Sequence, residues 1–165
     1  AFQLRIGEVT TPITYTELAS ALGISVGEKS SVITCREKVL ELRSRKGMLL
    51  SDSDHDSWSA GSFFTNPIVS AEVAAQLPLD APRWPQADGR VKTSAAWLIE
   101  HSGITKGQSI GGARISTKHV LALTNSGGAK ASEIAALAKL AQEKVKATFN
   151  IALEPEVNLV GLNLL

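Results

Sequence analysis

Apolar residues recur along the chain at two spacings, and each spacing predicts a different element. From Ala131 to Phe149 the positions Ile134, Leu137, Ala138, Ala141 and Val145 fall on one stripe with lysines outside it, which predicts a long helix with that stripe in the core. Asn150 ends the run. Tyr15 to Leu22 predicts a shorter helix stopped by Gly23. In the next helix Thr34 and Glu37 form a capping box, Val39 and Leu42 share a face, and Gly47 ends the run. Ser70 to Leu77 predicts a short helix closed by Pro78, and Thr93 or Ser94 caps another through Trp97 to Ser102, with Gly103 past its end. Alternation by two marks strands instead. Ala1 to Ile6 alternates like a half-buried strand, Arg90 to Thr93 is a brief one, and Ile151 to Leu153 with Val157 to Leu165 forms a final strand interrupted at Glu154-Pro155-Glu156. Strands at both ends around helices define an α+β chain.

Three segments have neither period. Ser51 to Ser59 consists of Ser, Asp and His with one Trp, and it predicts a solvated loop or a domain boundary. Its alternating Asp52, Asp54 and Asp56 suggest a calcium loop, but Ser57 stands where the turn glycine is needed and Phe63 where the closing carboxylate belongs, so calcium is rejected. Pro78 to Gly89 is a proline-rich surface connection. Gly107 to Gly112 lacks both the Lys-Ser/Thr ending of a P-loop and the dinucleotide spacing, so its glycines predict close backbone approach.

Composition narrows the classes. With 165 residues and 44% hydrophobic content the chain can bury one sizeable core or slightly more. Seventeen basic against sixteen acidic side chains leave a net charge of +1, which gives no basic field for a nucleic-acid backbone. The single Cys35 excludes an internal disulfide, the three histidines are too far apart for zinc, and a reducing cytoplasm fits this usage. No run approaches the roughly 20 apolar residues of a membrane span.

Ser62, between Gly61 and two phenylalanines, is a candidate buried proton donor, against the plainer reading of a turn serine; no histidine adjoins it and G-x-S-x-G is absent, which disfavours a hydrolase nucleophile. Glu156, in a strand of Val and Leu, is costly to bury unless protonated, paired or used; an edge glutamate facing water is the alternative. Lys92 beside Thr93, Ser94 and Trp97, and His119 after Ser116-Thr117-Lys118, are weaker candidates that a solvated lysine or a core histidine would equally explain.

The order of four segments carries more than any one of them. AGSFFTNPIV at Ala60 to Val69, KTSAAWLIEHSG at Lys92 to Gly103, IGGARIS at Ile110 to Ser116 and LEPEVNLVG at Leu153 to Gly161 together resemble the UDP-N-acetylenolpyruvoylglucosamine reductases, the MurB family, in its actinobacterial form. The resemblance spans nearly the whole chain. It implies the family's carboxy-terminal substrate-binding domain at 51–150, a remnant of the FAD-binding domain at 1–50, and a return strand toward that domain at 151–165.

It also implies an activity: reduction of UDP-N-acetylglucosamine enolpyruvate to UDP-N-acetylmuramate for peptidoglycan, with FAD and NADPH. In that activity Ser62 matches the proton donor and Glu156 the residue that polarises the substrate carboxylate. Asn66, Lys92 and His119 match substrate contacts, the last being glutamine in other members. Lys46 is expected to reach the substrate and Arg43 the flavin phosphates, the two lying one helical turn apart. The family's amino-terminal half, with its glycine-rich flavin segment and an active-site arginine, has no counterpart in these residues. The chain alone is therefore expected neither to retain FAD nor to turn over. A non-catalytic UDP-sugar-binding module is the alternative, and an unrelated interaction domain a third.

Overall fold

A computed structural model describes residues 1, 3, 6–161, 163 and 164. The chain divides into two compact units, Ala1–Leu49 and Leu50–Leu165. The expected opening strand falls on Phe2, Leu4 and Arg5, which lie outside the described residues.

The first unit is a helix pair. Helix α1 (Thr16–Leu22) ends where Gly23 takes φ +69°, a conformation that only glycine adopts at little cost. Helix α2 (Val32–Arg45) starts two residues before Thr34, with Ser31 at its N-cap making no side-chain bond, so the expected Thr34–Glu37 capping box is not formed. No residue of α2 is buried, and Val32 and Ile33 stay 41% and 71% exposed. Its apolar positions therefore contribute little burial within these residues.

The second unit packs helices against two antiparallel sheets. Strands β1 (Ser59–Ser62), β5 (Ser109–Ile110), β6 (Ala113–Ile115) and β7 (Ala122–Asn125) form one sheet in the order β1-β7-β6-β5. Strands β2 (Ile68–Val69), β3 (Arg83–Pro85) and β4 (Val91–Thr93) form the other in the order β2-β4-β3. Helix α5 (Ala131–Phe149) lays Leu137, Ala138, Ala141 and Val145 into the core, the stripe predicted from spacing. Two short helices complete the unit: α3 (Ala71–Gln76), capped by Ser70 Oγ, and α4 (Ala95–Glu100), capped by Ser94 Oγ, each hydroxyl accepting from the backbone N–H three residues on.

Three expectations need correction. The Pro78 to Gly89 segment is not merely a surface connection, because Ala81 is 4% exposed and Arg83–Pro85 pairs with β4. Residues 151–161 form no continuous strand; a single bridge at Pro155 replaces it, proline having no N–H to extend a ladder. The Ser51 to Ser59 segment is a short 3-10 turn, His55–Ser57, with Asp56 and Ser57 buried rather than solvated.

The glycine-rich segment does what its composition predicts. A Cβ on Gly112 would sit 2.8 Å from the backbone N and Cα of Ala129, and one on Gly111 would meet the Glu133 carboxylate. Gly112→Ala is therefore expected to lower stability by about 1–3 kcal/mol. Thermal unfolding would test this; an unchanged midpoint would contradict the close approach.

Glu133 receives the Gly112 N–H at 3.1 Å and the Lys130 N–H at 2.9 Å, tying the start of α5 to the hairpin between β5 and β6. The Lys130 N–H first, then that of Gly112, holds the Glu133 carboxyl below the usual glutamate range. A depressed folded-state pKa contributes stability that is present above the unfolded-state value and lost as pH falls through the folded one. Glu133→Gln should accordingly flatten the acid limb of the chain's stability curve, measured as unfolding midpoint against pH. An unaltered acid limb would show the bonds to be of no thermodynamic consequence.

Candidate functional site

The segment from Gly61 to Val69 forms a spine that the rest of the site is built on. Strand β1 carries one extra residue relative to β7, since Ser59 pairs with Thr124 while Ser62 pairs with Ala122. Gly61, at φ +85°, sits in this bulge. A bulge with glycine in the left-handed region turns the next side chain away from simple alternation, and here the next residue is Ser62, half-buried.

Phe63 then joins two other segments through its backbone. Its N–H donates to Leu121 O at 2.8 Å, and its carbonyl accepts from the Glu156 N–H at 2.8 Å. The following residues continue the second contact: Phe64 bridges Pro155 antiparallel, and the Thr65 N–H donates to Glu154 O at 3.0 Å. Residues 154–156 are thus annealed onto 63–65, which brings Ser62 and Glu156, remote in sequence, onto neighbouring backbone. Of the two readings of Glu156, burial in a perturbed site or an edge glutamate facing water, the second is found, because the residue is exposed. The interruption at Pro155 leaves no ladder to carry it inward.

His119 lies on the connection whose Leu121 is held by Phe63. It opens the turn into β7, with its carbonyl accepting from the Ala122 N–H at 3.0 Å and its Nδ1 accepting from the Leu121 N–H at 3.1 Å. An Nδ1 that accepts puts the proton of the neutral ring on Nε2.

Asn66 and Lys92 form a second pair further along the spine. Asn66 Oδ1 accepts from the Ala95 N–H at 2.9 Å at the start of α4, which fixes the amide and leaves its NH2 as the remaining donor. Pro67 O accepts from the Thr93 N–H at 3.0 Å, and Ile68 pairs with Lys92 across β2 and β4. Two grooves flank the spine. One, of about 700 Å³, is lined by Trp58, Phe63, Leu123, Ile134, Val157 and Leu159 among others; the other, of about 690 Å³, by Asn66, Ile68, Arg90, Asn150 and Glu154 among others. Of the expected site residues only Asn66 lines either groove.

Arg43 and Lys46 belong to the first unit. Arg43 is exposed, while Lys46 is the C-cap residue after α2, and its Nζ is paired with Glu17 Oε2 at 2.6 Å. Lys46 closes the last turn of α2, its N–H donating to Arg43 O at 3.2 Å. Lys46 would have to release Glu17 to meet another anion.

A polar cluster before Ser62 was not foreseen. Asp56, 4% exposed, accepts from the Thr117 N–H at 3.1 Å and from the Thr117 hydroxyl, and lies 3.5 Å from Arg114 Nη2. Asp54 pairs with Lys118, whose hydrogen bond is the main reason its carboxyl lies below the usual aspartate range. The only trace of this in the sequence is the Asp-x-Asp-x-Asp alternation, whose partners lie more than fifty residues away. Among the described residues no group of three or more His, Cys, Asp or Glu side chains is placed to hold a metal ion, and no helix is long and apolar enough to cross a membrane.

Comparison with known proteins bears on the whole chain. The sequence model of the UDP-N-acetylenolpyruvoylglucosamine reductase C-terminal domain matches residues 53–160. The UDP-N-acetylenolpyruvoylglucosamine reductase of Cutibacterium acnes is 49% identical over 96% of this chain, which covers 42% of that protein. Those of Streptomyces avermitilis and Mycobacterium tuberculosis are 49% and 46% identical over 94% and 92% of the chain, covering 46% and 44% of their lengths. The crystal structure of the reductase from Thermus caldophilus aligns at a TM-score of 0.43 and 24% identity, covering 79% of this chain and 37% of that one, a likeness too slight to carry an argument. The chain spans less than half the length of these curated relatives. With the family model spanning most of the chain and relatives this similar along nearly all of it, the expectation drawn from the four ordered segments holds: the chain belongs to the UDP-N-acetylenolpyruvoylglucosamine reductase family and carries its C-terminal domain.

Proposed function

We propose that this chain supplies the substrate-binding part of an oxidoreductase of peptidoglycan synthesis, one that reduces UDP-N-acetylglucosamine enolpyruvate to UDP-N-acetylmuramate. The annealing of residues 154–156 onto 63–65 carries the reading, because it brings the backbones of the Ser62 and Glu156 segments, distant in sequence, next to each other. Reduction of the enolpyruvyl group adds hydride to its terminal carbon and leaves the neighbouring carbon needing a proton. Ser62 Oγ–H gives that proton. Serine is a weak acid, so its contribution rests on a strongly basic intermediate and on the hydroxyl being held in line with the carbon.

Glu156 polarises the substrate carboxylate. A charged glutamate would repel that group, so in the complex Glu156 is protonated or paired with a cation. Lys92, the Asn66 NH2 and the His119 N–H hold the sugar nucleotide. Lys46, which belongs to the first unit, is in this reading a further substrate contact on release of Glu17.

FAD and NADPH belong to this reading as cofactors of the parent protein. A cofactor site covers most of its ligand's surface. Here the one candidate for the flavin phosphates, Arg43, is exposed, and α2 buries none of its residues. These residues alone do not fit a flavin site; Arg43 would be one phosphate contact of a site completed by other groups.

Calorimetry with UDP-N-acetylglucosamine enolpyruvate, together with flavin absorbance and NADPH oxidation on the isolated chain, tests the proposal. Weak binding without colour or turnover is expected. Stoichiometric flavin with activity would overturn the claim that the chain is only the substrate side, and absence of heat would overturn the binding role.

A further inference from the structure

The polar cluster on the Ser51 to Ser57 segment has no part in the reaction above, yet it touches the site at one point. Asp56 is a carboxylate 4% exposed, and burying a charge costs several kcal/mol unless it is paired and hydrogen-bonded. Its partners all lie on the second hairpin strand or the connection after it: the Thr117 N–H at 3.1 Å, the Thr117 hydroxyl, and the guanidinium of Arg114 at 3.5 Å. Arg114 Nε is itself buried without a hydrogen-bond partner, so the Asp56 charge is what offsets its burial.

The segment is riveted at further points. His55 Nδ1 bonds Ser126 O at 2.8 Å beyond the end of β7, and the Asn125 N–H donates to Trp58 O at 2.9 Å. The connection from Ser116 to Leu121 is therefore gripped from two sides. Asp56 holds it at Thr117, and Phe63 holds it at Leu121. His119 lies between the two grips.

We propose that Asp56 is a positioning residue: through Thr117 and Arg114 it fixes the connection between β6 and β7, and so sets the place and ring orientation of His119. The inference deepens the proposed function, and it rests on that reading only for the statement that His119 contacts the sugar nucleotide. Ser116 Oγ accepts from the Lys118 and His119 N–H groups, the Thr117 bonds tie this turn to Asp56, and in that arrangement His119 Nδ1 meets the Leu121 N–H at 3.1 Å. Without Asp56 the connection keeps the bonds of Ser116 to the Lys118 and His119 N–H groups but loses its tie at Thr117, and the Nδ1 bond to Leu121 loosens.

The test uses the whole chain, with the His119 ring nitrogens observed by NMR and affinity for UDP-N-acetylglucosamine enolpyruvate measured by calorimetry. In the unaltered chain His119 is expected in a single tautomer with its proton on Nε2. Asp56→Ala should give a mixture of tautomers and lower affinity by about tenfold, the size of effect a misplaced contact produces. Lys118→Ala, which cuts only the outer ion pair to Asp54, should leave the tautomer pattern unchanged. If Asp56→Ala does not fold, Thr117→Val removes the hydroxyl bond from an exposed position and should shift the same signals to a smaller extent. An unchanged His119 spectrum in the folded variants overturns the positioning role. A shifted spectrum in a chain that binds no UDP-sugar supports the positioning and overturns only the substrate role of His119.

Discussion

Replacing Ser62 by alanine in the full-length reductase to which we assign this chain is expected to cut turnover by roughly 10²–10⁴-fold, the usual worth of a positioned proton donor. Substrate affinity should stay within about threefold, because an interaction made only in the transition state lowers kcat without raising KM. The fold should be indifferent to the change. Ser62 is half-buried at a bulge and its partners in pairing are backbone groups, so the methyl of alanine occupies the same space. Steady-state kinetics and thermal unfolding of the two proteins separate the possibilities. Equal turnover would remove Ser62 from the reaction, whereas a fall in turnover matched by a fall in unfolding midpoint would reassign it to the structure. Gly61, at φ +85° in the bulge, is what aims the hydroxyl, so a β-branched residue there should impair turnover while Ser62 is intact.

The largest effect on stability is expected at Arg83. All five N–H donors of its guanidinium are used on backbone carbonyls: Nε to Ala74 O at 3.1 Å, Nη1 to Leu79 O at 3.2 Å and Ala81 O at 3.0 Å, and Nη2 to Leu77 O at 2.7 Å and Pro78 O at 2.9 Å. These carbonyls include Ala74 O in the last turn of α3, which also accepts from the Leu77 N–H, and the C-cap carbonyl of Leu77, and a cation suits the negative end of the helix dipole. Hydrogen bonds from a charged donor are each worth about 1.5–3 kcal/mol but do not add fully, so Arg83→Met is expected to cost about 3 kcal/mol. For a unit of this size that corresponds to a fall of roughly 10 °C in the unfolding midpoint. Arg83→Lys should recover less than half, since an ammonium has three donors and no planar fork. Urea unfolding of the three proteins would decide it. A loss below about 1 kcal/mol in Arg83→Met would mean that water replaces the guanidinium without penalty.

Helix boundaries were legible where the signal is local. The stripe of α5 follows from spacing alone, and Gly23 and a cap at Thr93 or Ser94 were readable because a cap or a positive φ is satisfied within four residues. The same reasoning misplaced the start of α2, where Ser31 rather than Thr34 stands at the N-cap and makes no side-chain bond. The crowding at Gly111 and Gly112 was also readable as a kind of requirement, though not which groups crowd them. Family membership was legible because four segments in fixed order carry information that no single residue does.

What the sequence by itself determined about this protein is therefore its helices, its turn glycines and its kinship. Tertiary structure alone decided which charges are buried: Asp56 went inside because Thr117 and Arg114 compensate it, and Glu156 stayed outside because Pro155 interrupts the ladder. The physical reason is one of range. A helix period or a cap is settled by neighbours along the chain, whereas the cost of burying a carboxylate depends on donors that only folding brings within 3.5 Å.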